Sequence, residues 1–114
     1  MHELAITENI LRIAEKHAIQ SNAVKVTGIY LVIGNLSSIV DDSIYYFWQI
    51  ISDGTICEGS MLHFERIPAQ IYCRNCDKTF ELSGALSPCP DCGSFNLEIK
   101  SGDEFRLESI EVER

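Results

Sequence analysis

The sequence is short of positive charge: nine Lys and Arg face seventeen Asp and Glu, for a formal net charge of −8. Such a balance repels polyphosphate, so nucleic acid is not an expected partner. Long apolar runs are lacking as well. The stretch TGIYLVIGNLSSIV, Thr27 to Val40, is interrupted by glycine, asparagine and serines, and it falls short of the roughly 20 apolar residues that a spanning helix needs. No membrane span is expected. The first ten residues hold two acids, Glu3 and Glu8, and no basic segment, so no signal peptide is read there. The expected setting is the reducing cytoplasm, where paired cysteines suggest metal before disulfide. Also missing are a phosphate-cradling glycine loop and a nucleophile with a partner base, so an enzyme is not expected.

What is present starts with cysteine. Four of the five cysteines lie in CRNC (Cys73, Cys76) and CPDC (Cys89, Cys92), a C-x2-C-x12-C-x2-C pattern. Two intervening residues let both sulfurs of a tight turn point at one ion, and the longer loop brings the second turn round to complete a tetrahedron. Four soft thiolates select zinc over harder cations. An iron–sulfur cluster could use the same four ligands, and a redox dithiol would need only one pair. No histidine or carboxylate stands between the pairs as a weaker ligand, so the site reads as closed and structural. Gly93 follows the second pair, where a knuckle needs a residue tolerant of positive φ, and Phe80 and Leu82 can cover the cluster. Around it Arg74, Lys78 and Lys100 are matched by Asp77, Glu81, Asp91 and Glu98, which leaves no basic stripe for nucleic acid. Cys57, in GTICEG, has no nearby partner and reads as a half-buried free thiol.

The periodicities around this module predict an α+β fold: a small mixed β-sheet with two helices, plus an inserted zinc-ribbon module. Leu4, Ile6, Ile10, Leu11, Ile13, Ala14, Ala18 and Ile19 recur at spacings of three and four, which gives an amphipathic helix from about Glu3 to Ser21. His17 falls near its end, in a solvated or dipole-compensating position. AVKVTGIYLVIG reads as a strand that is exposed at first and buried later. Asp41 or Asp42 can cap a second helix with Ile44, Phe47, Trp48 and Ile51 on one face, ended by Gly54. SMLHFERI alternates up to Pro68, with His63 on the exposed side. EFRLESIEVE alternates again, and its phase slips near Ser109 as at a bulge. The strands that enter and leave the module are expected side by side. Turn residues place its boundaries at Pro68 and at Ser101–Gly102.

The opening residues, Met1-His2-Glu3, raise a separate possibility. Histidine in second place is too bulky for ordinary removal of the initiator, so Met1 is expected to stay. The terminal amine, the deprotonated His2 amide and His2 Nδ1 can close fused chelate rings on one metal. That in-plane nitrogen set suits Ni²⁺ or Cu²⁺, with Glu3 as an added oxygen donor. The competing reading is an idle chain end followed by a good first-turn helix residue.

Taken together, MHELAI, IGNLSSIV, the run GTICEGSMLHFERIPAQIYC, CPDCGS and the closing SGDEFRLESIEVE resemble the HypA/HybF hydrogenase nickel-incorporation family over nearly the whole chain. The resemblance implies a nickel metallochaperone. Nickel would lie on the amine and backbone around Met1, on His2 and on Glu3, with structural zinc on Cys73, Cys76, Cys89 and Cys92. With the boundaries at Pro68 and Ser101–Gly102, the expected organisation is a nickel-binding α/β domain of residues 1–67 with 103–114 and a zinc-binding domain of residues 68–102. The implied partners are a HypB-type nucleotide hydrolase, the [NiFe]-hydrogenase large subunit and, in some members, the urease accessory proteins; a homodimer is compatible with it. Some members carry a histidine beside each cysteine pair; Asp77 and Gly93 stand there in this sequence, and that feature does not carry over. The family's glycine–glutamate is Gly34-Asn35 here. The alternative reading is a zinc-ribbon adaptor that recruits another protein.

Overall fold

The computed structural model describes residues 3–37, 39, 41–82 and 87–114. Its elements are α1 (Glu3–Gln20), β1 (Lys25–Gly34), α2 (Asp41–Ile51), β2 (Met61–Ile67), β3 (Ala69–Cys73), β4 (Lys78–Leu82), β5 (Leu97–Ser101) and β6 (Phe105–Glu113). They form two three-stranded sheets, ordered β2-β1-β6 and β4-β3-β5. No helix among the described residues is long and apolar enough to cross a membrane. The chain divides into two compact units. One gathers the described residues of Met1–Leu31, Ile39–Glu65 and Arg106–Arg114, the other those of Val32–Ser38 and Arg66–Phe105.

In the first unit, Thr7, Ile10, Ala14 and Ala18 make the buried stripe of α1, as the spacing of three and four predicts. The helix stops where Asn22 takes a left-handed φ of 57°. Ala23 N–H then donates to the Ala18 carbonyl at 2.9 Å and Asn22 N–H to Ile19 at 3.1 Å, which satisfies carbonyls that the helix leaves free. α2 packs on α1 and buries Ile44 and Trp48. A buried indole needs an acceptor, and Trp48 Nε1 donates to Ser60 Oγ at 3.0 Å. Asp41 and Asp42 stand in the first turn of α2, where the helix dipole favours acids.

β1 is the central strand of its sheet, and Ile29, Leu31 and Ile33 are fully or almost fully buried. β6 runs antiparallel to it, since Val24 N–H donates to Glu113 O and Gly34 N–H to Glu104 O. β2 runs parallel: the Tyr30 ring stacks on His63, and five residues on Asn35 N–H donates to Ile67 O. A parallel neighbour needs a crossover element, and α2 supplies it. The expectation that the strands flanking the cysteine module lie side by side is corrected here, because β1 separates β2 from β6. The reason is burial: the apolar run of β1 needs neighbours on both edges, whereas β6 is rich in charge and serves as an edge. Burial in β6 follows Phe105 and Leu107 and then Ile110 and Val112, the phase change read from the sequence. His63 is half-buried under its stack on Tyr30, with ring centroids 4.3 Å apart, rather than simply exposed.

The second unit is built on β3, which pairs antiparallel with β4 on one side and β5 on the other. Ala69, Ile71 and Leu82 form its core, with Leu36, Phe80 and Leu97 packed against them. Leu36 arrives from the end of β1, held by a hydrogen bond from its N–H to Gly102 O at 2.7 Å. The approach is close enough that a Cβ on Gly34 would lie 2.0 Å from the Gly102 carbonyl oxygen. Only glycine fits there.

Candidate metal centre

Two matching turns carry the cysteines. In the first, Cys73 closes β3 and Asp77 N–H returns to the Cys73 carbonyl at 2.8 Å; in the second, Gly93 N–H returns to the Cys89 carbonyl at 2.8 Å. The residue after each pair is left-handed, Asp77 at φ 64° and Gly93 at φ 73°. Glycine bears that conformation freely, and aspartate is among the few other residues that tolerate it. Asp77 is also held through its side chain, which accepts a hydrogen bond from the Tyr72 hydroxyl. Cys89 N–H donates to Ser94 O at 2.9 Å within the second turn, and Arg74 N–H donates to Asn96 O at 3.0 Å, tying the first turn to the segment after the second.

These turns bring the four sulfurs together. Cys73 and Cys92 Sγ are 3.6 Å apart, Cys76 and Cys89 Sγ are 3.6 Å apart, and all four lie within 4.8 Å of one another. A tetrahedral zinc with bonds of about 2.3 Å requires sulfur–sulfur edges of about 3.8 Å. The cluster therefore fits a zinc ion in both donor chemistry and size. None of the five cysteines is in a disulfide.

The thiols are not equivalent. Hydrogen bonds from the Asn75 side chain and then from the Ser94 backbone hold Cys92 down to a pKa of about 6. Desolvation first, and sharing of protons with Cys89, Cys73 and Cys92 after it, push Cys76 up to about 12. Four adjacent sulfurs cannot all ionise without a cation; a metal that replaces their protons removes the conflict. Lys78 and Asp91 pair at 3.2 Å, from either side of the cluster. With both side chains more than half exposed, the pair adds little stability. On the polar side of the sheet Glu98 pairs with Arg74 at 3.5 Å and Lys100 at 2.8 Å, and Lys100 lies over the Tyr72 ring.

Of the other residues singled out by sequence, Cys57 is fully buried rather than half-buried. Burial, with Glu15 as a lesser cause, raises its pKa to about 11, so it is an inert core thiol. Met1 and His2 lie outside the described residues. Glu3 opens α1, and its carbonyl accepts a hydrogen bond from the Thr7 hydroxyl. Sequence reasoning overlooked Asn75, whose side-chain amide donates to Cys92 Sγ at 3.5 Å. Its signal was a short polar residue inside C-x2-C, in reach of any sulfur that the second turn delivers.

A small α+β scaffold with a four-cysteine centre of zinc dimensions defines a metal-binding protein of the zinc-ribbon type. The family model described as "Hydrogenase/urease nickel incorporation, metallochaperone, hypA" matches residues 1–112. Similar proteins include the hydrogenase maturation factor HypA of Dehalococcoides mccartyi strain BAV1, 43% identical over 99% of this chain and 95% of its own. That of Actinobacillus succinogenes is 39% identical, over 99% of this chain and all of its own. The solution structure of the Ni metallochaperone HypA from Helicobacter pylori shares the fold, with a TM-score of 0.68 at 23% identity, over 99% of this chain and 98% of that one. The chain belongs to the HypA family.

Proposed function

We propose that this protein carries nickel: it binds Ni²⁺ at its amino terminus and, with a HypB-type nucleotide hydrolase, delivers the ion to the large subunit of an apo [NiFe]-hydrogenase in the cytoplasm. The observation behind this reading is that the family match runs from residue 1 and takes in Met1-His2-Glu3 together with all four cysteines. Nickel is the cargo. The Met1 amine, the His2 backbone nitrogen and His2 Nδ1 supply a planar nitrogen set, and Glu3 a further oxygen, within residues 1–67 and 103–114. Ligands at a chain end can be stripped one at a time, which suits an ion that must be handed on. Capture requires a deprotonated amine, amide and imidazole, so it weakens as pH falls through the imidazole range. The handover needs no catalysis by the chain itself.

In residues 68–102, Cys73, Cys76, Cys89 and Cys92 hold zinc in a structural role. Bound there, zinc supplies cross-links to a unit whose own apolar core is small. Urease maturation is a second client pathway that the family's name allows, reached through the same cargo.

The test is a calorimetric Ni²⁺ titration with metal analysis, on untagged, zinc-loaded protein and on a variant with one glycine added before Met1. The extension moves the free amine away from His2 and leaves the cysteines untouched. Uptake of one equivalent by the native terminus alone is expected. Equal binding by both chains, or by neither, would overturn the terminal site and favour a zinc-ribbon adaptor.

A further inference from the structure

The four sulfurs differ in what surrounds them. Cys73 is 0% exposed and Cys89 3%, Cys76 is half-buried, and Cys92 faces solvent. Cys92 Sγ also accepts the hydrogen bond from Asn75 Nδ2 at 3.5 Å. Asn75 belongs to the first turn and Cys92 to the second, so this bond ties the exposed ligand across the cluster. The neighbouring Arg74 turns its guanidinium away, to Asn96, the Leu97 carbonyl and Glu98.

We infer that Cys92 is the ligand at which the zinc site opens, the sulfur that meets an outside electrophile or a competing thiolate first, and that Asn75 is the positioning residue that keeps it in place. The inference rests on zinc occupying the four sulfurs. A metal-bound thiolate retains lone pairs and remains nucleophilic, and burial decides whether a reagent can reach it. An N–H donor draws charge from the sulfur and restrains its motion, which slows attack and strengthens retention of the metal. Both effects meet at Cys92, because it alone of the four ligands is exposed.

The experiment uses the full chain with one equivalent of zinc, verified by metal analysis, and a limiting amount of N-ethylmaleimide. The sulfur lone pair adds to one alkene carbon, water protonates its neighbour, and a carbon–sulfur bond replaces the zinc–sulfur bond. Peptide mapping of the singly modified protein should place the first adduct on Cys92. Asn75→Ala should accelerate that addition selectively, by about 3–10-fold, and weaken zinc in a chelator competition by about tenfold. Arg74→Ala should leave the rate at Cys92 within about twofold, since its contacts avoid the sulfurs. A first adduct on Cys76, an even spread over four cysteines, or an Asn75→Ala effect equal at every cysteine would overturn the inference. The wild-type map decides the first point even if a variant fails to fold. Protein that holds no zinc would instead refute the zinc assignment, and the metal analysis shows this before any alkylation.

Discussion

An alanine at position 34 would carry its Cβ 2.0 Å from the Gly102 carbonyl oxygen, 2.1 Å from the Gly102 carbonyl carbon and 2.6 Å from the Asp103 nitrogen. All three are backbone atoms, so no side chain can swing aside. Non-bonded carbons settle at about 3.5–4.0 Å, and the two segments must therefore part by more than about 1 Å. Two hydrogen bonds span this crossing, Gly34 N–H to Glu104 O and Leu36 N–H to Gly102 O, both 2.7 Å. Losing them costs about 0.5–1.5 kcal/mol each, and the overpacking adds about 1–3 kcal/mol. Gly34→Ala should thus destabilise the protein by about 2–6 kcal/mol, a large share of the roughly 5–15 kcal/mol that holds an ordinary domain together. Urea unfolding of zinc-loaded protein, followed by circular dichroism, measures it. Gly28→Ala on the same strand is the control. There the nearest atoms are Glu111 Oε1 at 3.0 Å, the end of a flexible side chain, and Glu111 Cβ at 3.3 Å, which needs to give by only a few tenths of an ångström, so the change should cost less than about 2 kcal/mol. If Gly34→Ala unfolded within about 1 kcal/mol of the parent, or the two glycines proved equally sensitive, the close backbone crossing would be wrong.

Metal-free protein should be alkylated by iodoacetamide at Cys92 first near neutral pH, because its pKa is held down to about 6 while Cys57 stands near 11. The sign follows from the lowered pKa: the thiolate and its stabilising bonds persist at neutral pH and are lost as pH falls through 6, where the rate should drop about tenfold per pH unit. A flat rate between pH 5 and pH 7, read by mass spectrometry, would contradict this. Trp48→Phe removes the donor to Ser60 Oγ and part of the largest fully buried side chain. It should cost about 2–3 kcal/mol from the orphaned hydroxyl and the vacated volume, and a thermal melt unchanged from the parent would refute the role given to that bond.

Much of the molecule is written in short-range pattern. The three-and-four spacing from Leu4 to Ile19 and the acids before Ile44 predict α1 and α2 closely, because a helix is a relation between residues a turn apart. The doubled C-x2-C with Gly93 behind it announces a four-sulfur cluster for the same reason: each turn builds half of the site locally. The loop expected between the cysteine pairs contains β4, and no strand was read at β3 before the first pair or at β5 after the second. AQIYC, KTFEL and LEIKS are short, and only pairing with one another identifies them as strands.

By itself, the sequence determined the presence and faces of the two helices and which four cysteines act together. The tertiary structure alone decided that β1 lies between β2 and β6, that Leu36 joins the core beside Ile71, that His63 stacks on Tyr30, and that Asn75 reaches across to Cys92. Residues three or four apart meet whatever the rest of the chain does. Residues thirty or eighty apart meet only when burial of the whole chain selects one pairing, and that selection is not carried by any local spacing.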